Sequence, residues 1–126
     1  MCRIVGFINC GNRIELQQAV DVIQHRGPDN QSIKWFDSKG SGLGHARLSI
    51  IDLSEAGNQP MYDAQTGNWL TFNGEIYNYQ EIRDELKKEG YVFTSASDTE
   101  VVLKAYHKWG EKSLHRFNGM FAFAIY

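Results

Sequence analysis

The sequence predicts an α+β fold, on three observations. Short apolar runs rich in β-branched and aromatic residues recur along the chain, bounded by Gly, Asn and Asp. Between them lie segments whose apolar residues repeat at helical spacing behind capping residues. The chain has 126 residues, 42% apolar and 13% aromatic, enough for one domain with its own core.

Taken in order, Cys2 to Asn9 is an apolar run and is predicted to be a buried strand, turned by Cys10-Gly11-Asn12. Leu16, Val20 and Ile23 fall at helical spacing, flanked by Ala19 and Val22, and Gly27-Pro28 ends that helix. The ordinary reading of His25 and Arg26 is a cap on its last carbonyls. Ser32 to Phe36 alternates as a strand does, and Asp37 to Gly42 is a hairpin loop. Gly40, Gly42 and Gly44 are read as turn chemistry, because no helix opens behind them as a phosphate cradle requires. Leu43 to Ile51 is the next strand, with His45, Arg47 and Ser49 on one face.

Asp52 to Asn68 is polar and turn-rich. Trp69 to Phe72 is a strand, and Asn73-Gly74 falls at its expected exit. A helix follows, with Asn78 as cap, Glu81 three residues on, Ile82 and Leu86 on its buried face, and Gly90 at its end. Tyr91 to Thr94 reads as a short strand. Ser97-Asp98-Thr99-Glu100 is a capping box opening the helix Val101 to Trp109, which Gly110 closes. Lys112 to Arg116 is a further helical turn, and Met120 to Tyr126 a last strand. A strand pattern cut off there reads as a fragment boundary.

Composition excludes several classes. The net charge is −2 with no basic stripe, which argues against nucleic acid as a partner. No apolar run approaches the ~20 residues that span a bilayer, so no membrane is expected. The start lacks the cationic and apolar regions of a signal peptide. Cys2 and Cys10 make no disulfide framework, and the four His (25, 45, 107, 115) show no ligand pairing, so no metal is expected. A reducing, cytoplasmic location follows naturally.

The chemistry gathers at Cys2. With Met1 removed, a thiol and a free α-amine share one residue, with ordinary pKa values of about 8.5 and about 7.7–8.0. Proton transfer between them is nearly thermoneutral, which is how an N-terminal amine activates its own nucleophile. With Met1 retained, that base is lost. A Cys in this position is ordinarily just a small buried residue. Arg47 on an apolar strand calls for a carboxylate, from the protein or from a ligand. Asn73 and Gly74 can converge a side-chain amide and a bare N–H on one oxyanion. The ordinary role of Asp98 is a favourable charge at a helix start.

Six segments carry a resemblance. They are Met1-Cys2 with its strand, His25-Arg26-Gly27-Pro28-Asp29, Gly44 through Asp52, Phe72 through Asn78, Ser97 through Val101, and Asn118 through Phe123. Together they resemble the class II glutamine amidotransferase domain of glutamine-hydrolysing asparagine synthetases, over nearly the whole chain. Phosphoribosylpyrophosphate and fructose-6-phosphate amidotransferases share the N-terminal Cys and a His-Arg-Gly segment, but Pro28-Asp29 and the run from Arg47 to Asp52 look closer to asparagine synthetases.

The resemblance implies an N-terminal nucleophile αββα sandwich, two mainly antiparallel sheets between helices. It implies that Cys2 attacks the side-chain amide of L-glutamine, and that Asn73 and Gly74 form the oxyanion hole. Arg47 would bind the α-carboxylate. Glu75 and Asp98 would hold the polar end, and backbone at Ile50 and Ile51 would line the pocket. His25 and Arg26 are read as structural support. No cofactor is implied for residues 1–126. ATP and Mg belong to a synthetase domain whose Ser-Gly-Gly loop this sequence lacks, so by itself the chain is expected to release ammonia rather than make asparagine from aspartate. Three alternatives stay open at this point: a non-catalytic glutamine-binding module, another N-terminal nucleophile hydrolase, and the amidotransferase part of a sugar-modifying enzyme.

Overall fold

The computed structural model describes residues 2–49 and 51–126. Two three-stranded antiparallel sheets form its centre. The first has the order β1-β3-β2, from β1 (Arg3–Phe7), β2 (Asn30–Phe36) and β3 (Ser41–Arg47). The second has the order β4-β5-β6, from β4 (Met61–Tyr62), β5 (Trp69–Ile76) and β6 (Gly119–Ile125). Helix α1 (Arg13–Ile23) packs on the first sheet; α2 (Tyr79–Lys88) packs on α3 (Asp98–Trp109), which packs on β5. β1 and β3 meet β5 face to face, which completes the αββα order the resemblance implied.

Alternation along β3 explains the layering. Gly42 and Gly44 face α1: a Cβ on Gly42 would come within 2.6 Å of Leu16, and one on Gly44 within 2.5 Å of Val20. Without side chains there, α1 lies close to the sheet and Leu16 and Val20 are fully buried, worth roughly 1.5–3 kcal/mol each. Only Gly40 is a turn residue, at φ +56°; the expected hairpin loop therefore ends two residues early. His45 faces the other way, towards β5, where Phe72 O accepts from its Nε2 at 3.2 Å. Thr71 Oγ1 donates to Gly44 O at 3.1 Å across the same interface. The second core, between β5 and the two helices, is built on Leu70, Phe72, Ile76, Ile82, Leu86 and Val101 through Leu103.

Other expectations are corrected by pairing partners that lie far off in sequence. β3 stops at Arg47 rather than Ile51 because its neighbours end there: Arg3 pairs Ala46 and Asn30 pairs Arg47. Asn73-Gly74 lies inside β5, not at its exit, because the ladder to β6 continues to Ile76↔Gly119. Tyr91 to Thr94 forms no strand; the N–H groups of Thr94 and Ser95 donate to the buried Glu100 carboxylate. That leaves the Ser97 box half made, with Ser97 Oγ accepting from Glu100 N–H at 3.3 Å. Asn78 precedes α2 but does not cap it with its side chain. Its amide donates to Arg116 O and accepts from Asn118 N–H, pinning the approach to β6. The reciprocal capping box is at α1, between Asn12 and Glu15.

Candidate active site

Cys2 sits just ahead of β1, level with the end of β3. There Leu48 has no strand partner, and the half-buried thiol takes both of its peptide groups. Leu48 N–H donates to Sγ at 3.3 Å, and the thiol donates to Leu48 O at 3.4 Å. The segment Gly27-Pro28-Asp29 braces this corner. A Cβ on Gly27 would lie 2.2 Å from Ala46 O, so only glycine fits. Asp29 N–H donates to Arg47 O at 3.0 Å, and its carboxylate accepts Ser49 N–H at 2.7 Å. His25 plays the capping role, 3.1 Å from Val22 O.

Arg47 is 7% exposed. Its Nη1 donates to Ser54 O at 2.9 Å and Asn58 Oδ1 at 2.7 Å, and Nη2 donates to Asp52 O. Gly57 backs the guanidinium, where a Cβ would fall 2.4 Å from Nη2. Among the described residues no carboxylate pairs with Arg47. Among the described residues these acceptors take three of the five N–H donors, which leaves Nε–H and one Nη2–H for a further acceptor such as a carboxylate. Asp52 closes the loop that Arg47 holds. Its carboxylate accepts from Ser54 Oγ at 2.6 Å and Ser54 N–H at 2.8 Å, and from Ala96 N–H at 2.8 Å. The Ser54 hydroxyl and then the Ala96 N–H hold its pKa below the usual carboxylate range.

The opposite wall is the open edge of β5. Trp69 and Tyr126 exchange hydrogen bonds and Tyr77 donates to Asn118, so odd-numbered residues of β5 bond to β6 and even-numbered ones face away. β4 covers only Leu70 and Trp69. Beyond it, Phe72 N–H donates to Gln59 Oε1 at 2.6 Å and Ile76 N–H to Asp98 Oδ2 at 3.0 Å. The same alternation turns Gly74 N–H to this edge, between the two. Gly74 needs to be glycine: a Cβ would meet Met120 O at 2.3 Å and Phe121 Cα at 2.5 Å.

Asp98 is 5% exposed at the first position of α3. Burial raises its pKa, with a further push from the Glu75 charge, against the N–H groups of Ile76 and Thr99 that favour the anion. His45, fully buried, has a pKa lowered to about 4 by burial and, less strongly, by Arg47. Since Phe72 O can only accept, the neutral imidazole carries its proton on Nε2.

One cavity gathers most of the expected site residues. Cys2, Arg47, Ile51, Gly74, Glu75 and Asp98 line it, together with Gln59 and Thr99. Asn73 is not among its lining residues. It shares the face of Thr71 and Glu75, and its Oδ1 is buried with no hydrogen-bond partner among the described residues. Ile50 and Met1 lie outside the described residues, so the expectations placed on them stay expectations. Sequence reading gave no site role to Gln59, Asp52 or Thr99. Asp52-x-Ser54 is a recognisable side-chain turn and Thr99 lies inside the capping-box motif; nothing local marks Gln59.

The cavity joins the Cys2 thiol to a backbone N–H of Gly74 that takes no partner among the described residues. The fold matches a solved glutamine phosphoribosylpyrophosphate amidotransferase from Bacillus subtilis with a TM-score of 0.79 at 20% identity, over 98% of this chain and 34% of that one. The two share one αββα architecture. A family profile described as a glutamine amidotransferase domain matches residues 1–126, and the chain belongs to that family. It is 41% identical over 131 aligned positions to asparagine synthetase [glutamine-hydrolyzing] 1 of Bacillus subtilis, covering 96% of this chain and 20% of that protein. A putative asparagine synthetase [glutamine-hydrolyzing] 2 of Methanocaldococcus jannaschii is 39% identical, over all of this chain and 28% of its own length. Amidase chry2 of Gibberella zeae is 43% identical, over 89% of this chain and 16% of its own length. The chain thus spans roughly a fifth of the curated relatives it matches. Among the described residues, no helix is long and apolar enough to cross a membrane.

Proposed function

We propose that the chain hydrolyses L-glutamine to glutamate and ammonia. The observation that carries this reading is the charge order of one cavity. It has a guanidinium with a free fork at Arg47, two carboxylates at Glu75 and Asp98, and a thiol and an open-edge N–H at Cys2 and Gly74. A free amino acid carries a carboxylate and an ammonium on one carbon, and these complement Arg47 on one side and Asp98 with Glu75 on the other. Its side-chain amide is left for Cys2.

In the proposed reaction Met1 is absent and the Cys2 α-amine takes the thiol proton. The sulfur bonds to the amide carbon and the oxygen becomes anionic. Gly74 N–H and the Asn73 side chain stabilise it, each donor worth roughly 3–4 kcal/mol of barrier. The α-amine then returns the proton to nitrogen, the C–N bond breaks, and ammonia leaves a γ-glutamyl thioester. Water, deprotonated by the same amine, attacks the thioester and releases glutamate. Backbone at Ile50 and Ile51 would line the pocket. Asparagine synthetase relatives support a further proposal: a synthetase domain, using ATP and Mg, takes up the ammonia to convert aspartate into asparagine in the cytoplasm.

The test is intact mass and ammonia release, with a glutamine-analogue diazo-ketone as label. The expected result is loss of Met1, one adduct on Cys2 with Cys10 spared, and ammonia release that vanishes in Cys2→Ala. Labelling of Cys10 alone, or turnover equal to that of Cys2→Ala, overturns the reading.

A further inference from the structure

We propose that Gln59 is a positioning residue for the glutaminase reaction, tying the strand edge that carries Gly74 to the helix start that carries Asp98. The inference rests on the glutaminase reading and adds to it a residue outside the expected site.

Gln59 lies in the irregular connection between β3 and β4, yet it is only 5% exposed. Each of its polar atoms outside the peptide N–H reaches a different element. Its backbone carbonyl accepts from Ser32 Oγ on β2. Its Oε1 accepts Phe72 N–H on β5 at 2.6 Å, and its Nε2 donates to Thr99 Oγ1 on α3 at 3.1 Å. Phe72 N–H requires such an acceptor. It faces the edge of β5 that β4 is too short to cover, and a buried N–H without a partner is destabilising. The side-chain amide offers an acceptor and a donor on one rigid plane, and asparagine is a methylene short.

The consequence concerns Gly74. Phe72 is held at this edge twice, by Gln59 on its N–H and by His45 on its carbonyl. Two residues on, Ile76 N–H is held by Asp98. Gly74 N–H therefore sits on a stretch of strand anchored on both sides, and Gln59 links the upstream anchor to the residue next to Asp98. An oxyanion donor matters where negative charge develops, not where substrate first binds. A displacement of about 1 Å at such a donor costs up to about 100-fold in rate. Loosening the Gln59 tie should lower kcat and leave glutamine binding nearly unchanged.

The experiment compares Gln59→Met, Thr99→Val and Thr99→Ser with the natural sequence in the intact protein. Two readouts are taken: steady-state glutamine hydrolysis, and the rate at which iodoacetamide alkylates Cys2, mapped by peptide mass. Alkylation displaces iodide and develops no oxyanion, so it reports the thiol without Gly74. Gln59→Met is expected to lower kcat about 10- to 100-fold, with KM within threefold and Cys2 alkylation within twofold. Thr99→Val, which cuts only the helix side of the tie, is expected to lower kcat about three- to tenfold, and Thr99→Ser to restore it. Should Gln59→Met fail to fold, the Thr99 pair decides. Unchanged kcat, a rise in KM alone, or equal loss of alkylation and turnover overturns the positioning role and leaves the glutaminase reading intact. A natural protein that releases no ammonia overturns the glutaminase reading itself, and this inference with it.

Discussion

The two edges of β5 are built on opposite principles. One edge is closed by β6 in register from Leu70↔Ile125 to Ile76↔Gly119, backbone against backbone. The other has two residues of β4 and then no strand. A bare edge is ordinarily a hazard, a row of polar groups open to any passing strand. Here side chains plug it: Gln59 and His45 at Phe72, Asp98 at Ile76. The N–H between them, on Gly74, faces the cavity. A strand edge can thus be stable and still present one open donor, provided its neighbours are satisfied by groups other than a strand.

The sharpest way to break this contrast is Gly74→Ala. Its Cβ would strike Met120 O and Phe121, on the closed edge, so the strand must move to admit it. Glutamine hydrolysis is expected to fall at least about 100-fold, and urea midpoints to report a loss of about 1–3 kcal/mol. Unchanged turnover would disprove the tight approach of β6.

The His45 plug responds to acid. Its folded pKa is about 4 against about 6.5 unfolded, so between those values the unfolded chain binds more protons. Stability is therefore full above about pH 6.5 and falls as pH drops through the window to about 4, by up to about 3 kcal/mol. Urea unfolding followed across that range should show the decline, and His45→Gln should flatten it.

Asp98→Asn separates the plug from the charge. Asparagine keeps an acceptor for Ile76 N–H and removes an anion that burial disfavours. Stability is expected to hold or rise, while KM for glutamine rises at least about tenfold. A stable variant with unchanged KM would remove Asp98 from the substrate's ammonium. The smallest effect belongs on the other sheet. Asn12→Ala breaks the α1 capping box and should cost about 1 kcal/mol in thermal unfolding, with glutamine kinetics unmoved.

How legible the site was depended on what each residue does. Arg47 and Gly74 stood out because charge on an apolar strand and Asn-Gly beside a strand are local anomalies, whereas Asp98, an ordinary acid at a helix start, was marked only by the resemblance. Their partners were not local. Arg47 read as a residue in want of a carboxylate, and the fold fills three of its five donors with carbonyl oxygens of residues 52, 54 and 58 and leaves two. Asn78-x-x-Glu81 has the spacing of a capping box, yet Asn78 is drawn to 116 and 118 instead. Gln59 showed no sign of itself, since an amide in a polar loop is unremarkable until three elements converge on it.

The sequence by itself determined the three helices and most of the strands, because apolar periodicity acts within a few residues; it missed the two-residue β4 and placed a strand at Tyr91 to Thr94 where none forms. It also supplied the thiol at Cys2 and the glycines that permit close approach at 27, 42, 44 and 74. Only the tertiary structure decided where strands end, which edge of β5 stays open, and which side chains close it. Those outcomes depend on contacts between residues 13 to 40 positions apart, such as Gln59 with Phe72 and Thr99, and Asp98 with Ile76. No local pattern encodes a hydrogen bond whose partner arrives only when the sheets and helices pack.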